Sequence, residues 1–134
     1  MGSLEGSCLC GGVRYESSGP SGPLLNCHCG TCRKAHGAAF ATTTRVPRAG
    51  FRWTSGEALL SSWESSPGKR RFFCSRCGSQ LVAAWDAEDE IILRVGSLDT
   101  DPGSKPVLHI WTDLKAPWYD LDAKLPSLPR GRPR

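Results

Sequence analysis

Seven cysteines in 134 residues constrain this chain more than any other feature, because they fall into three tight groups. One residue separates Cys8 from Cys10 and two separate Cys74 from Cys77, while Cys27, Cys29 and Cys32 lie in the run Cys27-His28-Cys29-Gly30-Thr31-Cys32. An odd number of thiols does not make a disulfide framework, and in a reducing compartment close pairs are metal ligands more often than crosslinks. Met1 to Glu5 lacks the basic-then-apolar layout of a secretory leader, so the expected location is cytoplasmic. Seven then divides into four and three. Four thiolates close a tetrahedral zinc shell, whereas three leave one position open, and an open position separates catalytic from structural zinc.

A zinc knuckle is a tight turn that presents two sulfurs to one ion, with backbone N–H groups turned toward the thiolates. Gly11 after Cys10 and Gly78 after Cys77 supply the permissive backbone such turns need. Joining Cys8 and Cys10 to Cys74 and Cys77 would staple the N-terminal strand to the middle of the domain; unligated buried or oxidisable thiols are the alternative. The other three cysteines leave a fourth position for His28, His36, His109, water or the thiol of a ligand. His28 sits between two ligating cysteines, so its ring is expected to point away, and His36 is better placed. A histidine ligand would make the site structural. Without one, a zinc ion would accept a substrate sulfur; a free thiol is only a few per cent ionised at neutral pH, so binding would raise the thiolate fraction roughly thirtyfold. Arg33 and Lys34 follow at once and are candidates to hold the carboxylates of an acidic substrate, with Arg71 or Arg76 joining them. Ordinary surface charge is the competing reading for each.

The remainder reads as short strands and turns. Apolar residues make up 39% of the sequence against 15 Gly and 10 Pro, which disfavours long helices, and no apolar run is long enough to cross a membrane. Alternating or apolar runs predict strands at 13–16, 38–46, 51–54, 58–64, 69–73, 81–85, 91–95 and 107–111. One helical turn is expected over Thr31–His36, ended by Gly37. His109 falls in the last strand and is expected in the core; Trp53, Trp63, Trp85, Trp111 and Trp118 are expected to fill the core and its rim. The length suits a single domain, residues 1–128, with a basic disordered tail over 129–134. A net charge of +4 is modest and is concentrated in Lys69-Arg70-Arg71, Arg76 and that tail, which argues against a nucleic-acid partner.

Three segments together resemble the glutathione-dependent formaldehyde-activating enzymes, the family that includes the centromere protein V domain. They are Gly6-Ser7-Cys8-Leu9-Cys10-Gly11-Gly12-Val13-Arg14-Tyr15, then Cys27 through Gly37, then Phe73-Cys74-Ser75-Arg76-Cys77-Gly78-Ser79-Gln80-Leu81. Gly96-Ser97-Leu98-Asp99, His109-Ile110-Trp111 and Lys115-Ala116-Pro117-Trp118 are also similar to that family's ending, so the likeness spans about residues 4 to 128. It implies a mainly β, zinc-stapled fold of the Mss4-like kind with short helical turns and two zinc ions per chain. Cys8, Cys10, Cys74 and Cys77 would hold the structural ion, and Cys27, Cys29 and Cys32 an exchangeable one at the reacting centre. The implied activity is that of a carbon–sulfur lyase joining glutathione, or a similar small thiol, to formaldehyde, with basic residues holding the peptide's carboxylates. A non-catalytic zinc module that binds a protein or nucleic acid is the alternative, thiol redox sensing is a third reading, and a homo-oligomer stays open.

Overall fold

Tight turns at Gly and Pro break the chain into segments too short for long helices, and the strands between them pair largely with sequence neighbours. A computed structural model describes residues 3–131. Its strands are β1 (Leu4–Ser7), β2 (Arg14–Ser17), β3 (Leu24–Cys27), β4 (Ala41–Pro47), β5 (Phe51–Ser55), β6 (Leu60–Ser66), β7 (Lys69–Cys74), β8 (Gln80–Trp85), β9 (Glu90–Arg94) and β10 (Pro106–Ile110). The single α-helix among the described residues, α1 (Gly30–His36), follows β3. The architecture is thus mainly β with short helical turns, as expected. No helix among the described residues is long and apolar enough to cross a membrane.

The strands form two sheets. One has the order β1-β2-β5 and the other β10-β3-β4-β9-β8-β7-β6. Pairing between these strands is antiparallel except for β10, which runs parallel to β3. Leu4, Val13, Tyr15, Val46, Leu81 and Leu93 pack in one core with Cys8 and Cys74. Cys27, Cys32 and Ala41 form a second, smaller cluster. Tyr15 ties the sheets together: its hydroxyl lies 2.6 Å from Ser97 Oγ, which donates to the Arg94 carbonyl at 2.7 Å. Burial pushes the phenol up to about 12, so it stays protonated and donates.

Several expectations are corrected here. β1 and β3 are absent from the sequence-based strands, because neither four-residue segment carries the apolar–polar alternation that marks β2. The strand expected at 38–46 begins at Ala41 and runs through Pro47, which pairs with Glu90. Thr43 and Thr44 are adjacent and both buried, so both faces of β4 are covered. The tryptophans contribute less to the core than expected. Trp53 packs against it, half-buried, but Trp63 is 66% exposed and Trp118 70%, the former because β6 is the outer strand of its sheet. At the start of the expected tail the carbonyls of Pro129 and Arg130 accept from the backbone N–H groups of Asp113 and Trp111. The rest of that expected tail, residues 132–134, lies outside the described residues.

Candidate metal centres

The two knuckles are built alike. Gly11 N–H donates to the Cys8 carbonyl at 3.0 Å, and Gly78 N–H donates to the Cys74 carbonyl at 2.7 Å. Both glycines have positive φ, 75° and 79°, a conformation that side chains disfavour. The folded chain brings Cys8, Cys10, Cys74 and Cys77 together, with all four sulfurs within 4.8 Å of one another. Val13 N–H donates to Cys8 Sγ at 3.2 Å and Arg76 Nε to Cys10 Sγ at 3.3 Å. The Ser79 hydroxyl beside Cys77 lowers that thiol to about 5, and hydrogen bonds from the Gly12 backbone and Arg76 lower Cys10. Arg76 therefore serves the knuckle.

Cys27, Cys29 and Cys32 also converge within 4.8 Å. Cys27 ends β3, and Cys29 caps α1 by accepting from Cys32 N–H at 3.2 Å. Gly37, at φ 59°, ends the helix in the left-handed conformation and releases the chain toward β4. Within the triad, hydrogen bonds from Cys27 and Cys29 hold the Cys32 thiol well below its ordinary value, with the charges of Arg94 and Arg71 assisting. Cys27, donating to its neighbours and buried, is pushed up. All seven cysteines are free thiols. Converging sulfurs supported by N–H and guanidinium donors are a donor set that suits zinc, and each cluster fits one ion.

Neither neighbouring histidine joins the triad. His28 Nε2 lies 2.8 Å from His109 Nδ1, and the two rings pack against Phe40, with Tyr119 beside His28. His28 N–H also donates to the Ile110 carbonyl at 3.0 Å, so this buried pair fastens β10 to β3 and points away, as anticipated. His36, the better-placed candidate by sequence, instead lines a cleft of about 670 Å³ together with Arg94, Cys8 and Gln80. Burial lowers both His28 and His36 to about 4.

The basic residues divide differently from expectation. Arg71 is 5% exposed; its Nη1 lies 3.9 Å from Cys32 Sγ and its Nε donates to Ser65 Oγ at 3.0 Å. Arg94, 3% exposed, is not among the candidates the sequence offers. Its Nε and Nη2 have no hydrogen-bond partner among the described residues. Lys34 lines a second cleft, of about 590 Å³, whereas Arg33 lines neither cleft and its Nε is buried. Arg94 falls inside the strand expected at 91–95, and a lone charge in an apolar run gives no sign of what it faces.

Fold and site together define a class: a two-sheet β protein carrying one four-cysteine knuckle pair and one three-cysteine centre. A family model described as glutathione-dependent formaldehyde-activating enzyme matches residues 3–114, and the chain belongs to that family. A Halomonas elongata protein named "Putative glutathione-dependent formaldehyde-activating enzyme" is 30% identical over 130 residues, covering 90% of this chain and 82% of that protein. An uncharacterized lyase of Schizosaccharomyces pombe is 30% identical over 87 residues, covering 63% of this chain and 60% of the relative. The crystal structure of a Rhodobacter sphaeroides protein superimposes with a TM-score of 0.64 at 21% identity, covering 92% of this chain and 98% of that one. That likeness supports the fold.

Proposed function

We propose that this protein catalyses reversible carbon–sulfur bond formation between a small thiol such as glutathione and formaldehyde, with Cys27, Cys29 and Cys32 at the reacting centre. The triad carries the reading: three sulfurs converge and neither His28 nor His36 joins them as a fourth donor. Cys8, Cys10, Cys74 and Cys77 hold a structural zinc ion in this reading, and the triad a second, exchangeable one. When bound, a tris-thiolate zinc supplies an open position that favours the thiolate form of an incoming thiol.

The chain's own residues arrange the rest. Arg71 and Arg94 place positive charge beside the triad, offsetting the negative charge that gathers as thiolates assemble in a buried site. Exclusion of water around these groups strengthens that compensation. The substrate thiol gives up its proton to solvent, its sulfur lone pair forms the new bond to the aldehyde carbon, and the carbonyl electron pair moves to oxygen, which takes up a proton. The reverse path is the lyase direction. A reducing, cytoplasmic setting belongs to the proposal, since cysteines must stay reduced to serve as thiolate ligands.

The relatives' names support the same chemistry. Glutathione and formaldehyde mixed with the zinc-loaded protein are expected to exchange with their adduct faster than in buffer, seen as broadened adduct resonances by NMR. Cys32→Ala is expected to restore the buffer rate. Equal rates with and without fully loaded wild-type protein would sink the reading.

A further inference from the structure

The larger sheet ends differently at its two edges. At one edge β10 is covered by the chain's C-terminal segment. His109 N–H donates to the Pro126 carbonyl at 3.0 Å, Leu128 N–H to the His109 carbonyl at 2.9 Å and Trp111 N–H to the Arg130 carbonyl at 3.1 Å. At the other edge, β6 pairs with β7 and with no further strand among the described residues. The pairing fixes which of its backbone groups are left over. Leu59 and Ser75 continue the β6–β7 register, and Ser75 N–H donates to the Leu59 carbonyl at 2.8 Å. Hydrogen-bonded and non-hydrogen-bonded pairs alternate along an antiparallel ladder. Ser61 and Trp63 therefore bond to Phe73 and Arg71, while Leu60, Ser62 and Glu64 turn their N–H and C=O groups outward.

This edge lacks the usual guards. Strands that stay unpaired are commonly blunted by Lys, Pro or a bulge. β6 reads Leu60-Ser61-Ser62-Trp63-Glu64-Ser65-Ser66, with neither Lys nor Pro, and its irregularity comes only after Glu64. The Glu64 carboxylate, its one charge, turns back along its own hairpin to accept from Gly68 N–H at 2.9 Å. Trp63, in the middle of the strand, is exposed.

We propose that β6 pairs antiparallel with β6 of a second copy about a two-fold axis at Trp63, joining the larger sheets of a homodimer into one. Outward residues must meet outward residues, which allows registers centred on Ser62 or on Trp63. The first sets Trp63 against Ser61. The second lets Ser62 exchange backbone hydrogen bonds with the partner's Glu64 and sets Trp63 directly opposite the partner's Trp63. That position is a non-hydrogen-bonded pair, with facing Cα atoms about 4.5 Å apart and side chains at their closest. Facing aromatic residues are a favourable cross-strand pair, and no like charges stand opposite each other. A contact of this kind closes on itself and stops at two chains. Trp63 also lines the cleft beside Lys34, so the second copy adds an apolar wall at that cleft's mouth.

Sedimentation equilibrium on the zinc-loaded full chain tests this. The mass is expected to rise from 14.5 kDa toward twice that value as the protein is concentrated, and the dimer's circular dichroism should gain the couplet of two interacting indoles. Ser62→Pro removes an outward N–H and none of the β6–β7 hydrogen bonds. It should move dimerisation to about tenfold higher concentration or beyond, with the melting temperature of the dilute monomer unchanged. Trp63→Ser should weaken the dimer likewise and abolish the couplet, and it decides the matter should Ser62→Pro lower the monomer's melting temperature. A single chain at every concentration overturns the proposal. A dimer that neither substitution weakens also overturns it, as does a wild-type dimer without the couplet.

Discussion

Arg94 is a buried guanidinium that makes no ion pair with a carboxylate among the described residues. Burial lowers it from the ordinary guanidinium value, and the Cys32 thiolate beside it opposes that effect. Removing one member of a buried charged set leaves the others uncompensated, at about 3–5 kcal/mol in well-formed cases. Arg94→Met is therefore expected to weaken metal retention at the triad by about tenfold or more, measured by competition with a chromophoric chelator. The four-cysteine cluster should keep its metal in the same titration. The histidines make a second prediction at this scale. His28 and His36 are lowered by burial to about 4, from an ordinary value of about 6.5. Between those values the unfolded chain binds more protons than the native one, so stability rises with pH across the window and is lost as pH falls from about 6.5 toward about 4. Melting temperatures measured through that window should fall steeply for wild type and less steeply for His28→Asn. The thiols are common to both proteins, so the difference in slope belongs to the histidine. Identical slopes would contradict this account.

At the scale of elements, the contact between β1 and β2 shows how closely the smaller sheet is fitted. A Cβ on Gly6 would clash with the ring and hydroxyl of Tyr15. Tyr15 is 1% exposed, stacked on Phe51 at 5.2 Å and edge-on to Trp53 at 6.1 Å, so it has nowhere to retreat. Gly6→Ala is expected to cost about 1–3 kcal/mol as overpacking, lowering the melting temperature by several degrees. Gly22→Ala, which meets nothing within 4 Å, should leave it nearly unchanged. These elements are legible in the sequence to different depths. β9 and β10 announce themselves through apolar runs, and α1 through the cysteine spacing and Gly37. β1 and the burial of Thr43 beside Thr44 do not, because β1 lacks the apolar–polar alternation of β2 and a covered central strand loses its alternation. The cysteine groups are readable because ligand geometry demands close spacing in sequence. Arg71, a candidate already in the sequence, reaches the triad from β7, whereas Arg94 does so from β9, and only the pairing of distant strands reveals the latter. Lys34 and Arg33 both follow the triad directly, yet only Lys34 lines a cleft, because successive helical residues face different directions.

For the whole molecule, the two cysteine groups differ in what they join. Cys10 and Cys74 are 64 positions apart, so the four-cysteine cluster clamps the turn between β1 and β2 to the knuckle between β7 and β8. Closing a long loop removes considerable freedom from the unfolded chain, and here the staple fixes the smaller sheet against the larger. The triad lies within Cys27–Cys32 and restrains almost no chain beyond the start of α1. Metal removal should therefore separate into two stages. A chelator titration of the zinc-loaded protein, followed by metal analysis and circular dichroism, is expected to take the triad's ion first with little change in strand signal. Loss of the second ion should coincide with cooperative unfolding. Cys32→Ala should bind one ion and melt close to the wild type, whereas Cys74→Ala should lose the cooperative transition, since a buried core position is disrupted along with the clamp. A protein that unfolds on losing its first ion, or a Cys74→Ala variant as stable as Cys32→Ala, would show that the structural and exchangeable roles are not divided in this way.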